Sequence, residues 1–383
     1  MPATRIWLKN PLAVFTANDL DARGGLVIHA GRIEQVLAAG QSPSLPCDSV
    51  FDAREHVLLP GLINTHHHFY QTLTRAWAPV VNAPLFPWLK TLYPVWARLT
   101  PEKLALASKV ALAELLLSGC TTAADHHYLF PEGLENAIDV QVEVVRELGM
   151  RALLTRGSMS LGEADGGLPP QQTVQQGEVI LEDSERLVNR YHQRGDGAQI
   201  QIALAPCSPF SVTPEIMRAS ADMAERLDVR LHTHLAETLD EEDFCLQRFG
   251  LRTVDYLDSV GWLGPRTWLA HGYSLQSGRD RAARRGRDRR VPLPEFEHAP
   301  RFRDLSDIGS AGGWRADRVG RGWLGLQRRL EHDAGSSPGA VHPALALWCS
   351  EGHPTARAGL GYLRLGTAAG AQRHRRIGRG QAG

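Results

Sequence analysis

Residues 57–68 read VLLPGLINTHHH, an apolar run that ends in three histidines. Residues 99–119 follow as LTPEKLALASKVALAELLLSG, with helical spacing of apolar residues, and residues 120–128, CTTAADHHY, form a second apolar run ending in histidines. Short apolar runs separated by a helix are typical of parallel strands joined by crossover helices. This stretch therefore predicts an α/β fold.

The same alternation continues along the chain. Further apolar runs stand at 150–158, 200–206, 229–235 and 267–271, and segments of helical period lie between them. Six strand–helix units in a row predict a (β/α)8 barrel over residues 57–272, with strands one to six recognisable and two units missing. Helices are expected at 134–149, near 173–192, at 214–227 and near 240–249.

The first 56 residues have a different pattern. Short apolar runs alternate with turn residues, which predicts small antiparallel strands and a separate β unit. Polar residues interrupt the opening segment MPATRIWLKNPLAVFTA, so neither a secretory signal nor a membrane span is predicted and a cytoplasmic location is expected. The five cysteines are single and odd in number, which predicts reduced thiols.

Histidines gather where the predicted strands end. His66 and His68 lie two residues apart, so in an extended chain they point the same way. His234 and His271 end the fifth and sixth apolar runs. A single H-x-H pair is weak evidence for a metal site, because histidines also line polar strand ends. Three strand ends presenting imidazole at one barrel face favour a metal site, since the carboxyl ends of barrel strands converge there.

The motifs PGLINTHHHFYQTLTRAW, SGCTTAADHHYLF, LAPCSPFSVTPE, HTHLAETLDEE and WLAHG together resemble the amidohydrolase superfamily. They fit its cytosine-deaminase and guanine-deaminase-like branch, and are most similar to bacterial 8-oxoguanine deaminases. The resemblance covers residues 1–272. It implies a metal-dependent barrel with a β-sandwich built from both chain termini. It also implies one divalent ion, zinc by preference, held by His66, His68, His234 and an aspartate after strand eight.

The resemblance assigns further roles. Neutral imidazoles leave the ion's charge in place, so a bound water would have a pKa of roughly 7. Glu237, three residues beyond His234, matches the acid/base that passes a proton to the substrate. His271 matches the histidine that hydrogen-bonds the tetrahedral oxygen or the attacking water. Gln71 matches the amide that pairs with the heterocycle, and Trp77 is either a flat wall of the pocket or a core residue.

Other polar residues near these motifs receive no catalytic role. His232 shares a strand face with His234 and is interpreted as structural. His67, His126, His127 and Cys207 stay unassigned, and the paired histidines of the second strand are expected to border the pocket.

The expected reaction is hydrolytic deamination of an aminated purine-type heterocycle, with 8-oxoguanine giving urate and ammonia. Guanine, pterins and hydroxytriazines are the alternative substrates, and a non-catalytic binding protein or a defective product is the alternative class. The expected partner is a small heterocycle, with no nucleic acid and no membrane. A homo-oligomer is compatible with the resemblance.

The tail, residues 273–383, has its own composition. It holds 20 arginines, no lysine and 10 acids, a net charge of +10, which leaves 22 basic and 32 acidic residues before it. The branch expects segments like HCPSSNM and VDGS here, and neither occurs. Such a composition is typical of a GC-rich gene read out of frame, with the shift near Tyr273. The chain as written is then expected to bind metal poorly. Arginines such as those of RDRAARRGRDRR are alternatively typical of a nucleic-acid-binding arm.

Overall fold

The structure, a computed structural model, describes residues 4–15, 21–195 and 197–272. The tail predicted at 273–383, with its proposed frame shift, lies outside the described residues. Within them, no helix is both long and apolar enough to cross a membrane.

Six short strands form the N-terminal part of the described chain: β1 Arg5–Lys9, β2 Ala13–Val14, β3 Gly25–His29, β4 Arg32–Leu37, β5 Ser49–Asp52 and β6 Val57–Leu58. Four of them make a sheet in the order β4-β3-β1-β5, and β2 pairs with β6. The prediction of antiparallel strands is correct for β1 with β3 and for β3 with β4. It is wrong for β1 with β5 and for β2 with β6, which are parallel. The alternation of apolar and polar residues along a strand indicates which face of the sheet each side chain points to, but it does not indicate whether the neighbouring strand runs parallel or antiparallel.

The next six strands form one parallel sheet: β7 Leu62–His67, β8 Cys120–His127, β9 Arg151–Ser158, β10 Ile200–Pro206, β11 Leu231–Leu235 and β12 Thr267–His271. Their spatial order is the same as their order along the chain. All five neighbouring pairs are parallel. This sheet confirms the predicted series of barrel strands.

Seven helices connect or flank these strands in the described chain: α1 Leu85–Trp96, α2 Pro101–Leu117, α3 Ala137–Leu148, α4 Gly177–Tyr191, α5 Pro214–Leu227, α6 Leu239–Phe249 and α7 Thr253–Ser259. The predicted start of α2 is confirmed, since the Thr100 side chain accepts a hydrogen bond from the amide of Lys103. The helix expected near 173–192 begins later, because residues 171–173 form a separate 3-10 turn.

The six-stranded sheet curls until its outer strands approach each other. The indole nitrogen of Trp268 on β12 donates a hydrogen bond to the backbone oxygen of Thr65 on β7, at 3.1 Å. The main apolar core lies between this sheet and its helices, with fully buried side chains such as Leu112, Leu154 and Ile202. Curling brings the carboxyl ends of all six strands around one opening, which places the site described next.

Candidate active site

Four imidazoles meet at the carboxyl end of the barrel. His66 and His68 come from the end of β7, His126 from β8 and His234 from β11. One ring nitrogen from each lies within 4.8 Å of those of the others. We call these four residues the mouth cluster. It unites the three histidines predicted as ligands and adds His126, which the sequence left unassigned.

Backbone carbonyls orient two of the rings. His68 Nδ1 lies 2.7 Å from the carbonyl oxygen of His126, and His234 Nδ1 lies 2.8 Å from that of Cys207. Because a carbonyl oxygen only accepts, each Nδ1 carries the ring hydrogen and each Nε2 of the neutral ring is a bare acceptor. These two Nε2 atoms face each other at 3.1 Å. Two acceptors cannot satisfy one another, but both can bind a cation. Their spacing is close to the roughly 3.3 Å that tetrahedral zinc would require.

The third predicted ligand, His66, lies against the rings of both His68 and His234. Its ring centre is 4.7 Å from that of His68 and 5.0 Å from that of His234, with the ring planes nearly perpendicular in each case. Its Nδ1 lies 2.8 Å from Nε2 of His232, a neighbour on β11.

Burial keeps the cluster neutral. Desolvation lowers the pKa of His66, His68 and His126 well below the usual imidazole value, and lowers that of His234 to about 4. Near neutral pH the rings therefore offer lone pairs, which is the state that binds a divalent metal. The donor set of the described residues fits zinc, because zinc prefers a few imidazole nitrogens in tetrahedral array.

An acid and a fifth histidine border the cluster. His271 Nε2 lies 3.4 Å from a carboxylate oxygen of Glu237. The His271 ring stacks on His234 with centres 5.4 Å apart. The side chains of Glu237 and His271 are 20% and 17% exposed, so they stand at the opening and not in the core. The two residues predicted to act in the chemistry are thus paired beside the predicted ligands.

A buried carboxylate shapes the turn that carries Glu237. The two oxygens of Glu241 accept hydrogen bonds from the amides of Ala236 and Glu237, each at 2.9 Å. Ala236 has a positive φ of 54°, a conformation that costs free energy and needs such support. Burial raises the pKa of Glu241 to about 7. The sequence did not indicate this role, since Glu241 stands in an acidic run that is typical of a solvated helix start.

A second buried carboxylate holds the segment after His68. Asp125 accepts hydrogen bonds from the amide of Phe69 at 2.7 Å and from the side-chain amide of Gln141 at 2.6 Å. It is completely buried, and burial raises its pKa to about 7. Asp125 therefore ties the end of β7 to helix α3, directly beside a predicted ligand.

The two predicted substrate-binding residues lie in different surroundings. Gln71 donates from its side-chain amide to the hydroxyls of Tyr70 and Tyr128, and the Tyr128 ring lies edge-on to His68 with centres 5.4 Å apart. Gln71 is thus one side chain away from the cluster. Trp77 lies after the 3-10 turn Phe69–Thr74 and is 40% exposed, so the alternative of a core residue is wrong.

Alternation along the strands separates the neighbouring histidines. His127 packs on Tyr70 and Phe130 in the helix layer, while His126 faces the cluster. Adjacent residues on a strand point to opposite faces, so only one of two neighbouring histidines could line the opening. The expectation that both paired histidines border the pocket therefore holds for His126 and is wrong for His127.

The chain is similar to known proteins in sequence and in structure. The family described as the amidohydrolase family matches residues 57–312. The chain is 83% identical to 8-oxoguanine deaminase from Pseudomonas aeruginosa over 269 residues, which are 70% of this chain and 60% of that protein. It is 32% identical to hydroxydechloroatrazine ethylaminohydrolase from a Pseudomonas species over 370 residues, covering 94% of this chain and 74% of the relative.

A solved structure is similar as well. Atrazine chlorohydrolase from Arthrobacter aurescens, complexed with zinc, superposes with a TM-score of 0.64 at 30% identity, covering 70% of this chain and 60% of that one. The chain thus spans about three fifths of the length of two of these three proteins. The matched part includes strands that carry the mouth cluster.

Proposed function

The chain belongs to the amidohydrolase family, and from this premise we propose that it catalyses the hydrolytic deamination of an aminated purine-type heterocycle, with 8-oxoguanine as substrate. The balanced reaction is 8-oxoguanine plus water giving urate plus ammonia. The observation that carries the proposal is the mouth cluster, with two bare Nε2 atoms facing each other and Glu237 and His271 beside them. The 83% identity to a named 8-oxoguanine deaminase supports the choice of substrate.

His66, His68 and His234 would hold one divalent ion, zinc by preference. When bound, such an ion supplies the positive charge that lowers the pKa of a coordinated water to roughly 7. The protein's own contribution is to keep the three rings neutral and to orient them. Burial achieves the first, and the hydrogen bonds of each Nδ1 achieve the second.

Glu237 is the proposed proton carrier. Its carboxylate lies at the opening, where it can accept a proton from the attacking water and deliver it to a ring nitrogen of the substrate. The remaining proton of the added hydroxyl then passes to the amino group, the carbon–nitrogen bond breaks, a carbonyl forms at the ring carbon and ammonia leaves. His271, 3.4 Å from that carboxylate, is proposed to hydrogen-bond the oxygen that adds to the ring. Gln71 is proposed to pair with the heterocycle edge, and Trp77 to flank its plane.

The substrate is tested by a panel. A version of the protein restored to the intact reading frame, supplied with zinc, is assayed for ammonia release from 8-oxoguanine, guanine, isoxanthopterin and an aminated hydroxytriazine. We expect the highest kcat/KM on 8-oxoguanine. Faster turnover of guanine or isoxanthopterin would overturn the substrate, and no turnover of any heterocycle by a zinc-loaded protein would overturn the deaminase function.

We further propose that residues 273–383 are translated from the wrong frame. The tail's excess of arginine over lysine, 20 to 0, supports the proposal. Resequencing the gene tests it: deleting one base near the codon of Tyr273 should restore sequence like HCPSSNM and VDGS, and the restored product should turn over faster than the chain as written. A confirmed gene without such an open frame would contradict it. The family match to residue 312 is the observation that favours an authentic tail.

A further inference from the structure

One predicted ligand is oriented by a side chain instead of a backbone carbonyl. His66 Nδ1 lies 2.8 Å from His232 Nε2, and His232 Nδ1 lies 2.9 Å from the carbonyl oxygen of Trp268. His232 is almost wholly buried, at 1% exposure. These contacts form a chain that runs from the backbone of β12, through one imidazole, to a second imidazole in the mouth cluster.

The chemistry of the donors fixes where each hydrogen lies. The Trp268 oxygen can only accept, so Nδ1 of His232 must carry the hydrogen. A neutral imidazole has one such hydrogen, which leaves Nε2 of His232 as an acceptor. His66 Nδ1 must then donate to it, and Nε2 of His66 is left bare.

We propose that His232 is a positioning residue that sets the tautomer and orientation of His66, so that His66 presents Nε2 to the ion. The inference rests on the proposed metal-dependent function. His232, interpreted from the sequence as structural, thus receives a specific role in setting the tautomer of His66. A ring hydrogen on the wrong nitrogen of His66 would remove one of three proposed ligands, so the effect reaches the metal directly.

The surroundings hold His232 in this role. Its ring stacks on the Trp268 indole with centres 4.2 Å apart and planes within 10° of parallel. The same indole donates to the backbone oxygen of Thr65, the residue before His66. Trp268 therefore fixes both the positioning ring and the strand that bears the ligand.

The hydrogen-bond partner of His66 can be removed by mutation, because it is the side chain of His232. His68 and His234 hydrogen-bond to backbone oxygens, which no substitution removes. The acceptor for His66 is a side chain. His232→Phe keeps a ring to stack on Trp268 but removes both nitrogens, whereas His232→Gln offers an amide that can donate to Trp268 and accept from His66.

The first test measures zinc affinity of the metal-free full chain by competition with a chelator. We expect His232→Phe to weaken zinc binding about 10- to 100-fold, and His232→Gln to stay close to the unmodified chain. His127→Phe is the matched control, because it removes an equally buried histidine outside the mouth cluster and should leave zinc affinity unchanged. Unchanged affinity in a folded His232→Phe protein, or equal losses in the Phe and Gln variants, would overturn the inference.

The second test needs neither metal nor activity. Nitrogen NMR of the metal-free, histidine-labelled chain should show His66 with hydrogen on Nδ1 and a bare Nε2, assigned by the signal that disappears in His66→Ala. The opposite tautomer would overturn the inference on its own. If His66→Ala and His234→Ala also leave zinc binding unchanged, the proposed metal site fails, and the tautomer measurement still decides the role of His232.

Discussion

The mouth cluster and a charged network on the helix side of the barrel are both rich in polar groups, yet they are built on opposite principles. The helix-side network consists of five residues from α3, β9 and α4: Asp139, Arg156, Asp183, Arg186 and Tyr191. It lines a groove of about 620 Å³. Its charges alternate in sign and pair at short range, with Arg156 and Arg186 each 2.7 Å from Asp183.

Among the residues that the structure describes, the mouth cluster has no such pairing of opposite charges. Its members are all imidazoles, and two acceptor atoms, Nε2 of His68 and Nε2 of His234, lie 3.1 Å apart. Opposite charges pair with each other, whereas two hydrogen-bond acceptors need a cation or a donor from another molecule. The comparison teaches that a polar cluster points to a ligand when its members cannot satisfy each other, whatever its charge or burial.

The largest effect is expected at the cluster itself. In the intact-frame protein, His234→Ala removes a buried Nε2 and should abolish stoichiometric zinc binding and, with it, the deaminase activity, because only two of the three proposed ligands remain. Metal content after dialysis, measured by emission spectroscopy, checks this. Full zinc occupancy in the folded variant would contradict the role of His234 as a ligand.

The next largest effect separates chemistry from metal binding. In the intact-frame protein, Glu237→Gln should retain zinc and bind substrate, but lose about 10²- to 10⁴-fold in kcat, because an amide can neither accept nor return the proton. Steady-state kinetics together with metal content check this. Loss of zinc in this variant would place Glu237 among the ligands, and unchanged turnover would remove it from the chemistry.

The network should respond in stability and not in zinc binding. Burial lowers the pKa of Arg156 to about 10, and its charge is held by Asp183. Asp183→Asn should therefore lower the free energy of unfolding by about 3 kcal/mol, because a buried guanidinium loses its counter-charge. Urea unfolding measures this, and zinc affinity should not change.

A matched control for this variant stands two residues along α4. Glu185 pairs with Arg226 at the surface. Glu185→Gln should have a much smaller effect on unfolding, because an exposed pair is screened by water. Equal losses in the two variants would contradict the importance of burial, and a loss of zinc affinity in Asp183→Asn would make the network part of the site.

The smallest effect concerns the support of Glu237. The pKa of Glu241 is raised to about 7, so the folded state binds a proton between the usual carboxyl range and pH 7 that the unfolded state releases. Its contribution to stability is present in acid and is lost as pH rises through about 7. Glu241→Gln should remove this part of the pH dependence, as checked by urea unfolding from pH 5 to 8. An identical pH slope in the variant would show that Glu241 does not titrate in this range.

The sequence predicted the six parallel strands, the start of α2 at Thr100 and the convergence of His66, His68, His234, Glu237 and His271. These features depend on short-range periodicity and on motifs that are contiguous in the chain. Helix α1 was not predicted. Its segment contains prolines, one of them at Pro94 inside the helix, and propensity alone argues against a helix there.

What the chain determines by itself is which residue types stand at the end of each strand, because alternation and apolar runs are local properties. Only the tertiary structure decided which of these groups meet. His66 and His232 are 166 residues apart and touch because the sheet curls, and Trp268 reaches Thr65 across 203 residues for the same reason. The inward choice of His126 over His127 and the burial of Glu241 likewise depend on packing against distant elements, since the direction of a side chain is set by what lies on each side of its strand or turn.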